Sequence, residues 1–228
     1  SGLLLALLLL PGCGNGTAGD SSTTTESSDT TRLSALFSDR DLDPSYDEAD
    51  STTIVLAGDS ASADSDSVTI DGSTVTIGDE GTYILSGTLD DGMVIVNAEK
   101  TDKVQLVLDG ASITSTTSAA IYVAQADKVF LTTAADSENA LANGGSYVAI
   151  DDNNIDAAVS KDDLTLNGNG SLTIDATAGH GVVSKDDLKL TSGTYTITAA
   201  DHGLSGKDSI AIANGDYTTT AGKDGFHA

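Results

Sequence analysis

Paired aspartates recur along this chain at a spacing that could hold metal ions. Ser160-Lys161-Asp162-Asp163-Leu164 returns letter for letter as Ser184-Lys185-Asp186-Asp187-Leu188, 24 residues on, and Gly206-Lys207-Asp208-Ser209-Ile210 follows 22 residues later. Residues repeated in this way would stack their carboxylates one above another. Calcium takes about six to eight oxygen ligands from carboxylates, carbonyls and water, so Asp162, Asp163, Asp186, Asp187 and Asp208 are candidate ligands. Crowded carboxylates repel unless a cation lies between them. Lys161, Lys185 and Lys207 form the neighbouring column, so a lysine–aspartate ladder without metal stands level with calcium here. Asp151-Asp152-Asn153-Asn154-Ile155-Asp156 is the densest run of oxygen ligands. It lacks the glycine and terminal glutamate of an EF-hand loop, and an acidic surface loop without ligand is the competing reading.

Other columns carry weaker chemistry. Ala157, Gly181, Gly203 and Gly225 align, flanked by Asp156, His180, His202 and Asp224 on one side and by Ala158, Val182, Leu204 and Phe226 on the other. Two imidazoles in one column are few for a transition metal, and His227 falls out of register, so stacked polar turns are preferred there. Lys223 aligns opposite Asp201, not Lys207. Tyr195 and Tyr217 continue the Leu172 column, which favours core for their rings, with hydroxyls at the edge; Phe226 also reads as core. If a sugar binds, Tyr195, Tyr217, Lys161, Lys185 and Lys207 are the candidates to contact it.

The elements that must position these residues are short strands. Leu164-Thr165-Leu166, Leu188-Lys189-Leu190 and Ile210-Ala211-Ile212 alternate with period two, as do Leu172-Thr173-Ile174, Tyr195-Thr196-Ile197 and Tyr217-Thr218-Thr219. Such runs bury one face. Asn169-Gly170, Ser192-Gly193 and Asn214-Gly215 lie between them as turn dipeptides. A period of 22 to 24 residues is that of a stacked repeat architecture. With parallel strands ~4.8 Å apart, the fold class expected is an all-β parallel β-helix over residues 52–228.

The 228 residues carry a net charge of −25, which repels phosphate backbones and argues against nucleic acid and anionic headgroups as direct partners. Leu3–Leu10 is apolar and too short to span a bilayer, but it fits the core of a signal peptide ending in Leu10-Pro11-Gly12-Cys13. That end resembles a bacterial lipobox, which makes Cys13, the only cysteine, the expected site of lipidation and membrane anchoring. Residues 14–51, rich in Ser, Thr and Asp, are expected to be a disordered tether. The start without Met and the end at Ala228, partway through a coil, suggest a longer parent chain.

Gly81-Thr82-Tyr83-Ile84-Leu85-Ser86-Gly87-Thr88-Leu89, Lys103-Val104-Gln105-Leu106-Val107-Leu108-Asp109-Gly110, Ser118-Ala119-Ala120-Ile121-Tyr122-Val123 and the Ser-Lys-Asp-Asp-Leu repeats together resemble the bacterial cell-surface, calcium-binding carbohydrate-binding domains. The resemblance covers about residues 52–228. It implies a right-handed, pectate-lyase-like parallel β-helix that binds cellulose or acidic plant-wall sugars without catalysis, with Ca2+ as cofactor and a monomer at the cell surface, outside the cytoplasm. By this resemblance Asp156, Asp201 and Asp224 become the better calcium ligands. Gly179-His180-Gly181 and Asp201-His202-Gly203 depart from the family's Asp-Asp-Gly turn, and imidazole is a poor calcium ligand. The alternatives are a calcium-dependent uronate lyase with Lys161, Lys185 or Lys207 as base, and a purely structural adhesin-like repeat. Against the lyase, the only arginines are Arg32 and Arg40, both in the expected tether.

Overall fold

A computed structural model of the chain describes residues 35–144, 157–160 and 162–228. Cys13, Asp151, Asp152, Asp156 and Lys161 lie outside the described residues, as do Leu3–Leu10. Among the described residues no helix is long and apolar enough to cross a membrane.

The structure is all-β. In chain order its strands are β1 (Thr52–Gly58), β2 (Ala61–Ala63), β3 (Val68–Asp71), β4 (Thr74–Ile77), β5 (Gly81–Leu89), β6 (Met93–Asn97) and β7 (Lys103–Ser115). There follow β8 (Ile121–Gln125), β9 (Lys128–Thr133), β10 (Glu138–Asn143), β11 (Ala157–Ser160), β12 (Leu164–Gly168) and β13 (Ser171–Ala176). The last are β14 (His180–Ser184), β15 (Asp187–Leu190), β16 (Thr194–Ala199), β17 (Leu204–Gly206), β18 (Ser209–Ile212), β19 (Asp216–Ala221) and β20 (Phe226–His227). Nearly all pairings are parallel, and each strand pairs with the one three places on: β9-β12-β15-β18, β10-β13-β16-β19 and β8-β11-β14-β17-β20. The long β7 pairs β9 with its first half and β10 with its second, so the larger sheet curls through it. Among the described residues, antiparallel pairs, β1 with β2 and β3 with β4, occur only near the start of the strand stack.

Alternation explains the strands. In β13 and β16 every second residue is buried, placing Leu172, Ile174, Tyr195 and Ile197 inside and Thr173 and Thr196 outside. Register stacks like on like: Tyr83, Leu106, Leu131, Leu166 and Leu190 form one inward column, and Val104, Val129, Leu164 and Leu188 another. Each such side chain contributes about 1.5–3 kcal/mol on burial, but only while its neighbours in the column are present. The repeated triplets pair as their spacing predicts, Leu164 with Leu188 with Ile210 and Leu172 with Tyr195 with Tyr217.

One column departs from expectation. Val159 pairs with Val182 and Ala157 with His180, so the alignment of Ala157 with Gly181 and of Ala158 with Val182 is out by one residue. The shift is taken up in the next turn, where Asp162 adopts φ 61° and Leu164 regains register with Leu188. Ser160 therefore stacks on Val183, and the five-letter repeat is in step only at its end. Phe226 keeps its column with Leu204 but is 41% exposed.

Gly181 and Gly203 are glycine because the backbones of successive repeats touch there. A Cβ on Gly181 would meet the Gly203 oxygen at 2.5 Å and Ile197 Cγ2 at 2.6 Å; one on Gly203 would meet the Gly225 oxygen at 2.7 Å. Gly181→Ala is expected to lower stability by about 1–3 kcal/mol, the usual cost of overpacking, read as a shift of the denaturation midpoint at unchanged slope.

The expected tether does not reach Ser51. Phe37 is buried, and Ser38 caps a short helix α1 (Asp39–Leu42) through a capping box with Asp41. A 3-10 turn at Glu48–Asp50 then leads into β1. This strap lies on the outer face of β9, β12 and β15, which is why β9 and β12 are buried on both faces. Average composition hides it, because a few residues, Phe37, Arg40, Asp41 and Tyr46 among them, dock it.

Candidate functional site

The turns entering β12, β15 and β18 carry the acid column. Asp187 N–H donates to Asp163 Oδ1 at 3.1 Å, and Ser209 Oγ donates to Asp187 Oδ1 at 2.7 Å. Asp208 N–H donates to the Asp186 carbonyl one repeat back, so Asp186 and Asp208 stack as the spacing predicts. Asp163 and Asp187 thus already have protein donors, and the charge of Asp163 lies within reach of Lys128. The ladder expected from Lys207 is slight: Lys207 and Asp208 approach to 4.0 Å with both side chains mostly exposed, where an ion pair contributes little. Asp162 lines a shallow open depression with Lys100, Gln125 and Asp127.

The glycine-flanked turns hold Asp201, His180, His202 and Asp224. Lys223 lies opposite Asp201 as its alignment predicts, with Nζ 2.9 Å from Oδ1. The lysine's hydrogen bond and charge hold the Asp201 carboxyl below the usual carboxylate range. A cation is therefore already present at Asp201. The imidazoles of His180 and His202 stack, ring centroids 5.2 Å apart, and each Nδ1 accepts a backbone N–H from the next repeat, of His202 and Asp224 respectively. His227 pairs with Ser205 along the backbone, yet its ring stacks on His202 at 4.1 Å. Three imidazoles therefore stand in one pile where the column alignment provides two. Among the described residues, the group of three metal-ligating side chains lying close together is His202, Asp224 and His227, not the acid column.

The two tyrosine candidates are core. Tyr195 is 1% exposed, stacks on Tyr217 at 5.2 Å, and donates its hydroxyl to the Ser192 carbonyl at 2.9 Å. Burial pushes both phenols up, Tyr217 to about 12. The ring of Tyr195 has no open face for a sugar, and the half-buried Tyr217 donates to Asn214 at 2.7 Å. Both rings rest on the glycines of their turns, Gly193 and Gly215, which have φ +106° and +119°.

Two features escape the column analysis. The first is Asp41, fully buried beneath the strap. Its Oδ1 lies 2.6 Å from Lys128 Nζ and accepts from Thr165 Oγ1 at 2.6 Å; its Oδ2 lies 3.1 Å from Lys189 Nζ and accepts from Ser38 N–H at 2.8 Å. Burial pushes the Asp41 carboxyl up, but hydrogen bonds from Lys128, Thr165 and Ser38 outweigh it and leave the group well below the carboxylate range. Burial likewise pulls Lys128 down, partly offset by Asp41. Arg40 comes with the strap, its guanidinium 5.1 Å over the Phe130 ring, so one arginine does lie on the strand stack. No local sequence signal links Asp41 to lysines 87 and 148 residues away; its Ser38 capping box was the one visible hint.

The second is an exposed polar face on β13, β16 and β19. Thr173, Thr196 and Thr218 form one exposed row, and Asp175, Thr198 and Thr220 the next. Neighbours within a row stand ~4.8 Å apart across strands, and the two rows present hydroxyls and a carboxylate without a covering element. The alternating triplets already contained this signal, since the residue between two buried positions must face outward.

Comparison with known proteins bears on this geometry. A protein of Acetivibrio thermocellus described as carbohydrate-binding domain-containing is 39% identical over 150 residues, 64% of this chain and 52% of the relative. The chain thus spans about half the length of the curated relative it matches. The solved structure of a polysaccharide lyase-like protein from C. thermocellum, a gadolinium derivative, superimposes with a TM-score of 0.67 at 27% identity, covering 78% of this chain and 94% of that one. The model of one family matches residues 71–228, most of the strand stack. The chain belongs to the family of carbohydrate-binding domain-containing proteins.

Proposed function

We propose that this chain is a non-catalytic, calcium-dependent binder of cellulose or acidic plant-wall polysaccharide, coiled as a right-handed parallel β-helix and held outside the cytoplasm at the cell surface by a lipid on Cys13. Family membership over residues 71–228 carries the reading. The recurrence of pairing every third strand supports the coil. The open rows of Thr173, Thr196 and Thr218 and of Asp175, Thr198 and Thr220 supply the surface, rich in groups that hydrogen-bond sugar hydroxyls. A glycan replaces protein–water hydrogen bonds there, so affinity rests on many modest contacts.

Calcium would draw on Asp162, Asp186 and Asp208 with backbone carbonyls and water, since carboxylates alone do not converge there. The solved relative is a gadolinium derivative, and gadolinium, like calcium, is a hard cation that prefers oxygen ligands. Calorimetry on chelator-treated protein is expected to show heat on adding calcium and a raised melting temperature; neither change would sink the metal. Thr196→Glu, at an exposed position, is expected to weaken retention on cellulose or polygalacturonate about tenfold without moving the melting temperature. Unchanged retention would place the glycan elsewhere.

The second reading is a lyase, favoured by the solved relative's description as polysaccharide lyase-like. A uronate lyase needs a free basic side chain near the sugar. Of the candidate bases, Lys207 lies in the turn between β17 and β18, not on the threonine face of β13, β16 and β19, which favours binding without cleavage.

A further inference from the structure

We propose that His202, Asp224 and His227 form a site for a first-row transition-metal dication of the zinc class, separate from the acid column and from the glycan face. His202 ends the turn between β16 and β17, Asp224 occupies the same turn one repeat on, and His227 is the second residue of β20. Backbone register sets His227 beside Ser205, but its side chain swings back onto His202. His202 Nδ1 and His227 Nδ1 each lie 3.3 Å from Asp224 Oδ2; the two rings are stacked, so the exposed His227 ring must turn out of the stack for both in-plane lone pairs to meet one ion.

That spacing fits a metal. Zinc binds imidazole nitrogen and carboxylate oxygen at about 2.0–2.1 Å, so ligands on adjacent corners of its tetrahedron stand about 3.3–3.4 Å apart. The donor set also selects the class, since imidazole suits zinc, copper, nickel and cobalt and is foreign to calcium. Asp224 and His227 are exposed, which leaves the remaining coordination positions to water.

Hydrogen bonding at His202 points the same way. Its Nδ1 accepts the Asp224 N–H at 3.2 Å and also faces Asp224 Oδ2 at 3.3 Å. A dication held between that nitrogen and that oxygen would take both as ligands. The amide it displaces belongs to an exposed residue, and water takes over its hydrogen bond. Nearby charges do not compete: Lys223 is held by Asp201, and His180 Nε2 lies 3.9 Å from that same carboxylate.

The test uses the untagged full chain titrated with zinc, and with cobalt for its d–d absorption. We expect one zinc per chain bound in the presence of excess calcium, tetrahedral-type cobalt absorption, and at least tenfold weaker binding in each of His202→Ala and His227→Ala. His227 is exposed, so His227→Ala is expected to keep the wild-type melting temperature, which separates lost ligation from lost folding. Absence of zinc binding would overturn the proposal. So would binding that survives both substitutions or is displaced by calcium, since either would place the ion on the acid column.

Discussion

Asp41→Ala is expected to cost about 3 kcal/mol and to free the strap. Removing one partner of a buried ion pair typically costs about 3–5 kcal/mol, because the other charge stays buried without compensation. Here two ammonium groups lose their shared carboxylate, with the Lys128 and Lys189 side chains only 11% and 18% exposed. The lower end of the range applies because the strap can lift and let water reach both lysines. Thr165 and Ser38 lose an acceptor as well. Lifting exposes Arg40, so trypsin should cut after Arg40 faster in the variant than in the wild type. Equal cleavage rates and equal melting temperatures would show that Asp41 does not anchor the strap.

The same group sets a pH dependence with a definite sign. The folded Asp41 carboxyl lies below its unfolded value of about 3.9. Its contribution is therefore fully present above that value and is lost as pH falls through it toward the depressed folded one. The stability gap between wild type and Asp41→Ala should stay constant near neutrality and close on acidification below about pH 4.

The second large effect belongs to Tyr195. Tyr195→Ala is expected to cost about 3–5 kcal/mol, as for other large aromatic truncations in a core. It empties a fully buried position, removes the stacking partner of Tyr217, and leaves the Ser192 carbonyl without its donor. Glycan retention per folded molecule should not change. Tyr195→Phe keeps the ring and should lose only about 1 kcal/mol, the net worth of its hydrogen bond. A Tyr195→Phe variant with normal stability but lost glycan retention would return the tyrosine to the binding surface.

Period and alternation made much of the fold legible. They predicted the pairing of Leu164, Leu188 and Ile210, the stacking of Tyr195 on Tyr217, and Lys223 opposite Asp201, because a side chain in a parallel stack meets the same position one repeat away. They failed where the backbone changes step. The slip between Ala157 and His180 is absorbed by one left-handed aspartate, which spacing alone cannot reveal. They failed again where a side chain leaves its backbone column, as His227 does to stack on His202. The strap was hidden because polar composition describes an average, while docking depends on a few residues, Phe37, Arg40, Asp41 and Tyr46 among them. The paired aspartates were the most visible chemistry in the sequence, yet Asp163 and Asp187 accept hydrogen bonds within the protein, and the metal-like convergence lies in the next turn.

Passing the chain over immobilised polygalacturonate in calcium, while following the absorbance of unsaturated uronate ends, tests the central claim most directly. Binding without cleavage predicts retention on the polymer and no rise in absorbance. Growing absorbance would make the protein a lyase, and failure to be retained on either polygalacturonate or cellulose would contradict polysaccharide binding.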